Sequence, residues 1–201
     1  MLDNPTMTLG GVVFGPKNDL VGSPQRNYFG EWKGSATPQM SMPQIANVAM
    51  RNILGKYKRF VPVAEAFASM SKYPGTKVGC IILGEGHQVL SSGWNGAPRG
   101  SKADVDGRLA DKPTRLSWAC HAEANAIANA ARSGTSLNGG TLICTLMPCM
   151  ACAKSIVQSG IVRVLCPLPV GGSTWGEEFK LSKALFDECS VDLVYYDILG
   201  E

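Results

Sequence analysis

The sequence predicts a layered α/β domain, and two observations carry that expectation. From residue 62 onward, segments with apolar residues at helical spacing alternate with apolar runs of strand length, and Gly or Pro marks most of the junctions. A chain of 201 residues also buries enough surface for a substantial core, and no stretch reads as a linker between two of them. One domain is therefore expected, over residues 61–201. Residues 1–60 form an N-terminal extension, an irregular arm followed by a helix.

The arm carries "GGVVFGP", "GSP" and "TPQMSMPQ" and sustains neither helical nor strand periodicity. From Pro43, "PQIANVAMRNILGKY" places apolar residues at helical spacing, and Gly55 suits the end of that helix. A second helix is expected from Pro62 to Lys72, closed by Pro74 and Gly75. "TKVGCIILG" and "HQVLSSGWN" then form a hairpin between Thr76 and Asn95. A long polar loop follows from Gly96 to Ser117. "ACHAEANAIANAARSG" is an Ala-rich helix stopped by Gly134, "GTLICTLMP" a strand stopped by Pro148, and "CMACAKSIVQSG" a helix stopped by Gly160. "IVRVLCPL", "EEFKLSKALFDEC" and "VDLVYYDI" supply a last strand, helix and strand.

Composition narrows the function classes. The net charge of +3 is mild, and "KYKRF" at Lys56 to Phe60 is too short a basic run to make a nucleic-acid surface. The longest apolar runs fall far short of the roughly 20 residues that span a bilayer. Seven cysteines, an odd number scattered through the elements, and a start "MLDNPTMTLGG" without an apolar leader suggest a soluble, cytoplasmic protein of a reducing compartment.

The chemistry gathers around His121, Glu123, Cys149 and Cys152. A catalytic zinc takes three protein ligands and keeps a fourth position open, whereas a structural zinc is closed by four. His121, Cys149 and Cys152 supply three. Cys149 and Cys152 open a helix, where unpaired N–H groups and the positive dipole end favour thiolates. Cys120 is the best candidate for a closing fourth ligand, and a small buried hydrophobe is the better reading of it. His121 and Glu123, two residues apart, reach one site only from a helix's first turn. A carboxylate there takes a proton from water that a metal has acidified to a pKa of about 7 and passes it to a leaving amine. A helix opened by His-x-Glu and another by Pro-Cys-x-x-Cys match the pattern of zinc nucleobase deaminases.

The run "SKYPGTKVGCIIL … SSGWNGAPRG … CHAEANAIANAARSG … GGTLICTLMPCMACAKSIVQSGIVRV" resembles the deoxycytidylate deaminases of the zinc-dependent cytidine deaminase superfamily, over about residues 60 to 197. The resemblance implies a three-layer fold with a central mixed sheet of about five strands. It also implies hydrolysis of dCMP to dUMP and ammonia, with one catalytic Zn2+ on His121, Cys149 and Cys152 and Glu123 as proton shuttle. Asn95 would bond the sugar 3′-hydroxyl, or else serve the "NG" turn. The backbone around Ala122 would face the cytosine edge. Lys77 would reach the 5′-phosphate, or stand as an exposed strand lysine, with Arg115 and Arg99 as further phosphate candidates. Trp175 would cover the base or simply pack at a helix start.

Relatives regulated by dCTP and dTTP bind them through an "NGxPxG" loop, intact here as "NGAPRG", so Gly96, Pro98 and Arg99 are candidate effector contacts. Mg2+ would accompany such a triphosphate. The loop from Gly96 to Ser117 has no Cys or His for a second zinc. A homo-oligomer, often a hexamer, is implied by the resemblance. Deamination of dCTP or another cytosine nucleotide is the nearest alternative. A polynucleotide substrate would call for an aromatic and basic channel, which an aromatic content of 7% disfavours. A zinc-binding module without activity is the alternative from another class, and Glu123 counts against it.

Overall fold

The computed structural model describes residues 8–9, 12–13, 25–26, 32–33, 41, 51–103, 105–169 and 176–197. The chain divides into two compact units, Met1–Ile53 and Leu54–Glu201. The first holds two short antiparallel pairs, β1 (Thr8–Leu9) with β2 (Val12–Val13) and β3 (Gln25–Arg26) with β4 (Trp32–Lys33). The helix expected from Pro43 is described only from residue 51, as α1 (residues 51–57).

The second unit is built on a five-stranded mixed sheet. Its strands are β5 (Gly79–Leu83), β6 (Val89–Trp94), β7 (Thr141–Cys144), β8 (Arg163–Cys166) and β9 (Asp192–Tyr195), in the order β6-β5-β7-β8-β9. β5 runs antiparallel to both β6 and β7, whereas β7, β8 and β9 are parallel. The parallel half needs crossovers, which α5 (Met150–Gln158) and α6 (Gly176–Glu188) provide. β5, β7 and most of β8 are buried, as a strand covered on both faces must be.

Two glycines show how the layers close. Gly79 on β5 lies against the backbone of Ala64 and Ala68 in α2 (Val61–Ser69), so close that a Cβ would collide with it. Gly93 on β6 meets Ala122, Asn125 and Ala126 of α4 (Ala122–Ser133) in the same way. Gly79 pairs with Trp94 and Cys80 with Gly93, so the two glycines face opposite sides of the sheet. Helices therefore cover both faces, and the expected three-layer α/β fold is the one observed. The core is aliphatic and sulfur-rich, with Ile82, Leu142, Cys144, Met147, Ile156, Val164, Cys166 and Phe186 buried within it.

Several boundaries differ from expectation. Gly55 does not end its helix: α1 runs to residue 57 and passes through a 3-10 turn, Lys58–Phe60, directly into α2. Nothing stands within 4 Å of where a Gly55 side chain would be, so its absence serves no close packing. α2 stops at Ser69 rather than Lys72, and Thr76 and Lys77 precede β5. The loop expected from Gly96 to Ser117 contains a helix, α3 (Lys112–Trp118). The Asp111 side chain caps it, accepting the Thr114 amide at 3.0 Å and the Thr114 hydroxyl at 2.7 Å, and Pro113 fits the first turn, where an N–H is not needed.

Candidate active site

Two helix starts meet at the site. His121 is the N-cap of α4 and Cys149 the N-cap of α5, both extended in backbone conformation, with Cys152 in the first turn of α5. His121 Nδ1 lies 3.4 Å from Cys149 Sγ and 3.4 Å from Cys152 Sγ. A tetrahedral zinc with Zn–S of about 2.3 Å and Zn–N of about 2.0–2.1 Å requires N···S separations of about 3.5 Å. The three side chains thus fit zinc. Among the described residues they form a cluster of three, with ligand atoms all within 4.8 Å of one another. Cys120 is not part of it, and it is half-exposed rather than buried.

The thiols are electrostatically unequal. Cys152 donates to Cys149 and, with help from His121, holds its pKa below the ordinary thiol value; the same contact and burial push Cys152 up. One thiolate is thus ready at neutral pH, and a cation entering the triangle displaces the second proton.

Glu123, in the first turn of α4, is 4% exposed. Burial pushes its carboxyl above the ordinary value, while its own backbone N–H and the charge of His121 pull the other way. A carboxyl pushed up in this way holds a proton more tightly than an ordinary glutamate does, as a proton shuttle needs.

Backbone and amide tethers fix this geometry. Just before His121, Cys120 and Gly96 exchange both backbone hydrogen bonds, at 2.8 and 3.1 Å. Ser91 Oγ donates to the Ala126 carbonyl, and Asn125 and Asn129 donate to the Trp94 and Ser92 carbonyls, so α4 is riveted along β6. At the end of β7, Gly79 N donates to Thr145 Oγ1 and Thr145 N to the Gly79 carbonyl, setting the approach to Pro148 and Cys149.

The triangle opens into a cavity of about 810 Å³, which Asn95, His121, Ala122, Glu123, Cys149 and Arg115 help to line. Asn95 is buried and its amide is heavily engaged: Oδ1 accepts from Ser71 Oγ at 2.8 Å and Val78 N at 2.9 Å, and Nδ2 donates to the Thr76 carbonyl at 2.9 Å. One N–H of Nδ2 is left over, so Asn95 can offer a ligand a donor and nothing more. Lys77 is exposed and does not line the cavity, nor do Gly96, Pro98 and Arg99; Arg99 instead donates to Asn129 Oδ1 at 3.0 Å. Trp175 lies outside the described residues.

Sequence reasoning missed Tyr73, Lys112, Glu178 and Phe179, which also line the cavity. Lys112 was hidden with α3. "DKPT" carried the signal for it, a cap followed by a first-turn proline. Tyr73, Glu178 and Phe179 are brought in only by tertiary packing.

Comparison with known proteins agrees with this geometry. The family model for the cytidine and deoxycytidylate deaminase zinc-binding region matches residues 55–168. An uncharacterized deaminase in the luxG 3′ region of Aliivibrio fischeri is 36% identical over 142 residues, covering 69% of this chain and 91% of that protein. The human deoxycytidylate deaminase is 37% identical over 110 residues, covering 53% of this chain and 61% of that protein. The crystal structure of the apo dCMP deaminase from cyanophage S-TIM5 superposes with a TM-score of 0.56 at 26% identity, over 70% of this chain and 97% of that one. With a zinc-ligand triangle, a buried carboxylate beside it and a match over more than half its length, the chain belongs to the cytidine and deoxycytidylate deaminase family.

Proposed function

We propose that residues 61–201 form a zinc-dependent dCMP deaminase, converting dCMP and water to dUMP and ammonia. The observation that carries this reading is the buried Glu123 carboxyl beside the His121, Cys149 and Cys152 triangle at the cavity. His121, Cys149 and Cys152 would hold the zinc, which when bound supplies a Lewis acid that makes water acidic enough to attack near pH 7. Glu123 takes one proton of the attacking water and delivers it to the ring N3, then takes the remaining proton from the oxygen now bonded to C4 and passes it to the exocyclic amine, which leaves as ammonia as the C4 carbonyl forms. The backbone at Ala122 faces the base edge, and the spare N–H of Asn95 offers a donor to a sugar hydroxyl. Met147, Leu146 and Phe179 give the cavity an apolar wall.

The names of the relatives support dCMP as the substrate. Regulation by dCTP and dTTP, with Mg2+ accompanying the triphosphate, and homo-oligomer assembly belong to the same reading. Gly96, Pro98 and Arg99 stand off the cavity, so an effector bound there would act through the Gly96 and Cys120 backbone pair. The experiment is ammonia release from dCMP, dCTP and deoxycytidine by wild type and Glu123→Gln, with zinc content measured on both. Turnover of dCMP by wild type, abolished in a Glu123→Gln protein that keeps its zinc, is expected. No turnover of any of the three by zinc-loaded wild type would refute the reading.

A further inference from the structure

We infer that Ser71, which lies outside the cavity, is a positioning residue for substrate selection: it locks the Asn95 side chain so that the site offers the sugar one hydrogen-bond donor and disfavours a sugar that brings no acceptor. The inference rests on the deaminase reading above, with Asn95 as the sugar contact. Ser71 follows α2 and is 3% exposed, and its amide donates to the Ala68 carbonyl at 3.0 Å. It does not line the cavity, whereas Tyr73, Thr76, Val78 and Asn95 do. Its hydroxyl oxygen accepts the Tyr73 amide at 3.1 Å. The single hydroxyl proton is left to Asn95, whose main-chain carbonyl stands at 2.7 Å and whose Oδ1 stands at 2.8 Å.

The main-chain neighbours of the Asn95 amide can each play one role only. The Val78 N–H donates to Oδ1 at 2.9 Å, and the Thr76 carbonyl accepts from Nδ2 at 2.9 Å. Turning the amide over would set donor against donor at Val78 and acceptor against acceptor at Thr76, leaving polar groups unpaired. The main chain adds a further tie, from the Asn95 amide to the Val78 carbonyl at 3.1 Å. With both lone pairs of Oδ1 taken by Val78 and Ser71, what Asn95 keeps for the cavity is one N–H. Ser71 fills the second lone pair, which would otherwise draw a donor from ligand or water, and it fastens the wall at Tyr73 to the wall at Asn95. The lock reaches the metal triangle through one backbone step, because Gly96, next to Asn95, exchanges hydrogen bonds with Cys120, next to His121. A sugar hydroxyl meets the spare N–H with its oxygen. A sugar carbon without oxygen strands it, and an ammonium sets donor against donor.

The test compares kcat/KM for dCMP, its 2′,3′-dideoxy counterpart and its 3′-amino counterpart in zinc-loaded wild type, Ser71→Ala and Ser71→Thr. Mildly acidic buffer keeps the 3′-amine an ammonium. Wild type is expected to prefer dCMP over the dideoxy nucleotide by about 5- to 100-fold, the scale of a donor left unpaired, with the ammonium analogue poorer still. In Ser71→Ala that preference should shrink by about 3- to 10-fold, while Ser71→Thr, which keeps the hydroxyl, should retain it. A merely structural role for Ser71 would lower turnover of all three nucleotides in proportion. That result, or an ammonium analogue used by wild type as well as dCMP, would overturn the inference. Should zinc-loaded wild type turn over none of the three, the deaminase reading fails on its own. Nitrogen relaxation of the Asn95 side-chain amide then still decides the lock: an Nδ2 group rigid in wild type and looser in Ser71→Ala upholds it, and equal rigidity rejects it.

Discussion

Asn95 and Val78 are joined by a buried hydrogen bond in which the Val78 amide donates to Asn95 Oδ1 at 2.9 Å. The same oxygen accepts Ser71 Oγ, so Asn95 ties the end of β6 to the chain entering β5. Asn95→Ala would strand the Val78 N–H, and a loss of about 1–3 kcal/mol in unfolding free energy is expected. Denaturant unfolding measures it. A variant as stable as wild type would show that the residue serves only a ligand.

Gly93→Ala should act at a distance on the metal site. A Cβ at residue 93 has no room beside the Ala122 carbonyl and the Ala126 amide, so α4 must move, and His121 and Glu123 move with it. Overpacking of this kind costs about 1–3 kcal/mol. Zinc content and turnover should fall together with thermal stability.

Gly55→Ala should do the reverse. The position lies within a helical stretch and has open space around it. Replacing glycine there is expected to stabilise the fold by about 0.5–1 kcal/mol, with activity unchanged, as thermal and denaturant unfolding would report.

Acid should loosen α3 early. The Thr114 hydroxyl, followed by its amide, holds the Asp111 carboxyl below its ordinary 3.8. A folded-state value below the unfolded one means that the cap contributes fully above the unfolded pKa and is lost as pH falls through the folded one. Amide exchange at Thr114, corrected for intrinsic rates, should therefore begin to lose protection as pH drops below about 4 and go on losing it as pH passes the lower folded-state value. Asp111→Ala should show that loss at neutral pH, and Asp111→Asn, which also caps, much less of it.

Removal of zinc should cost both activity and stability, since His121, Cys149 and Cys152 come from two helices that a bound zinc would cross-link. Chelation is expected to lower the melting temperature of wild type, with recovery on adding zinc back. Cys152→Ser should melt near the chelated wild type and respond little to chelator.

The parts legible in the sequence were those set by local rules. Gly134, at φ 68°, ends α4 as a left-handed cap, and His-x-Glu and Pro-Cys-x-x-Cys announced two helix starts because capping and ligand spacing are written over a few residues. The alternation of apolar runs was enough for the layers. Gly55 misled because propensity yields to tertiary context, and α3 was missed because its exposed surface leaves no apolar stripe to read. The resemblance alone makes Arg115 a phosphate candidate. Its bracing by Leu109, Ala110 and Tyr73, and the neighbouring Lys112, are products of the fold.

The central strand has a consequence for the order of events during folding. β5 can pair with β6 as a local hairpin, but its other edge waits for β7, and the Gly79 amide meets the Thr145 hydroxyl 66 positions further along. Closing so long a loop is entropically slow, and contacts of high sequence separation retard the approach to the native state. A nascent chain that has emerged only through α4 therefore presents His121 and Glu123 without either thiolate. The hydrolytic centre cannot assemble before β7 and the start of α5 have been made, and a half-made chain cannot run the reaction.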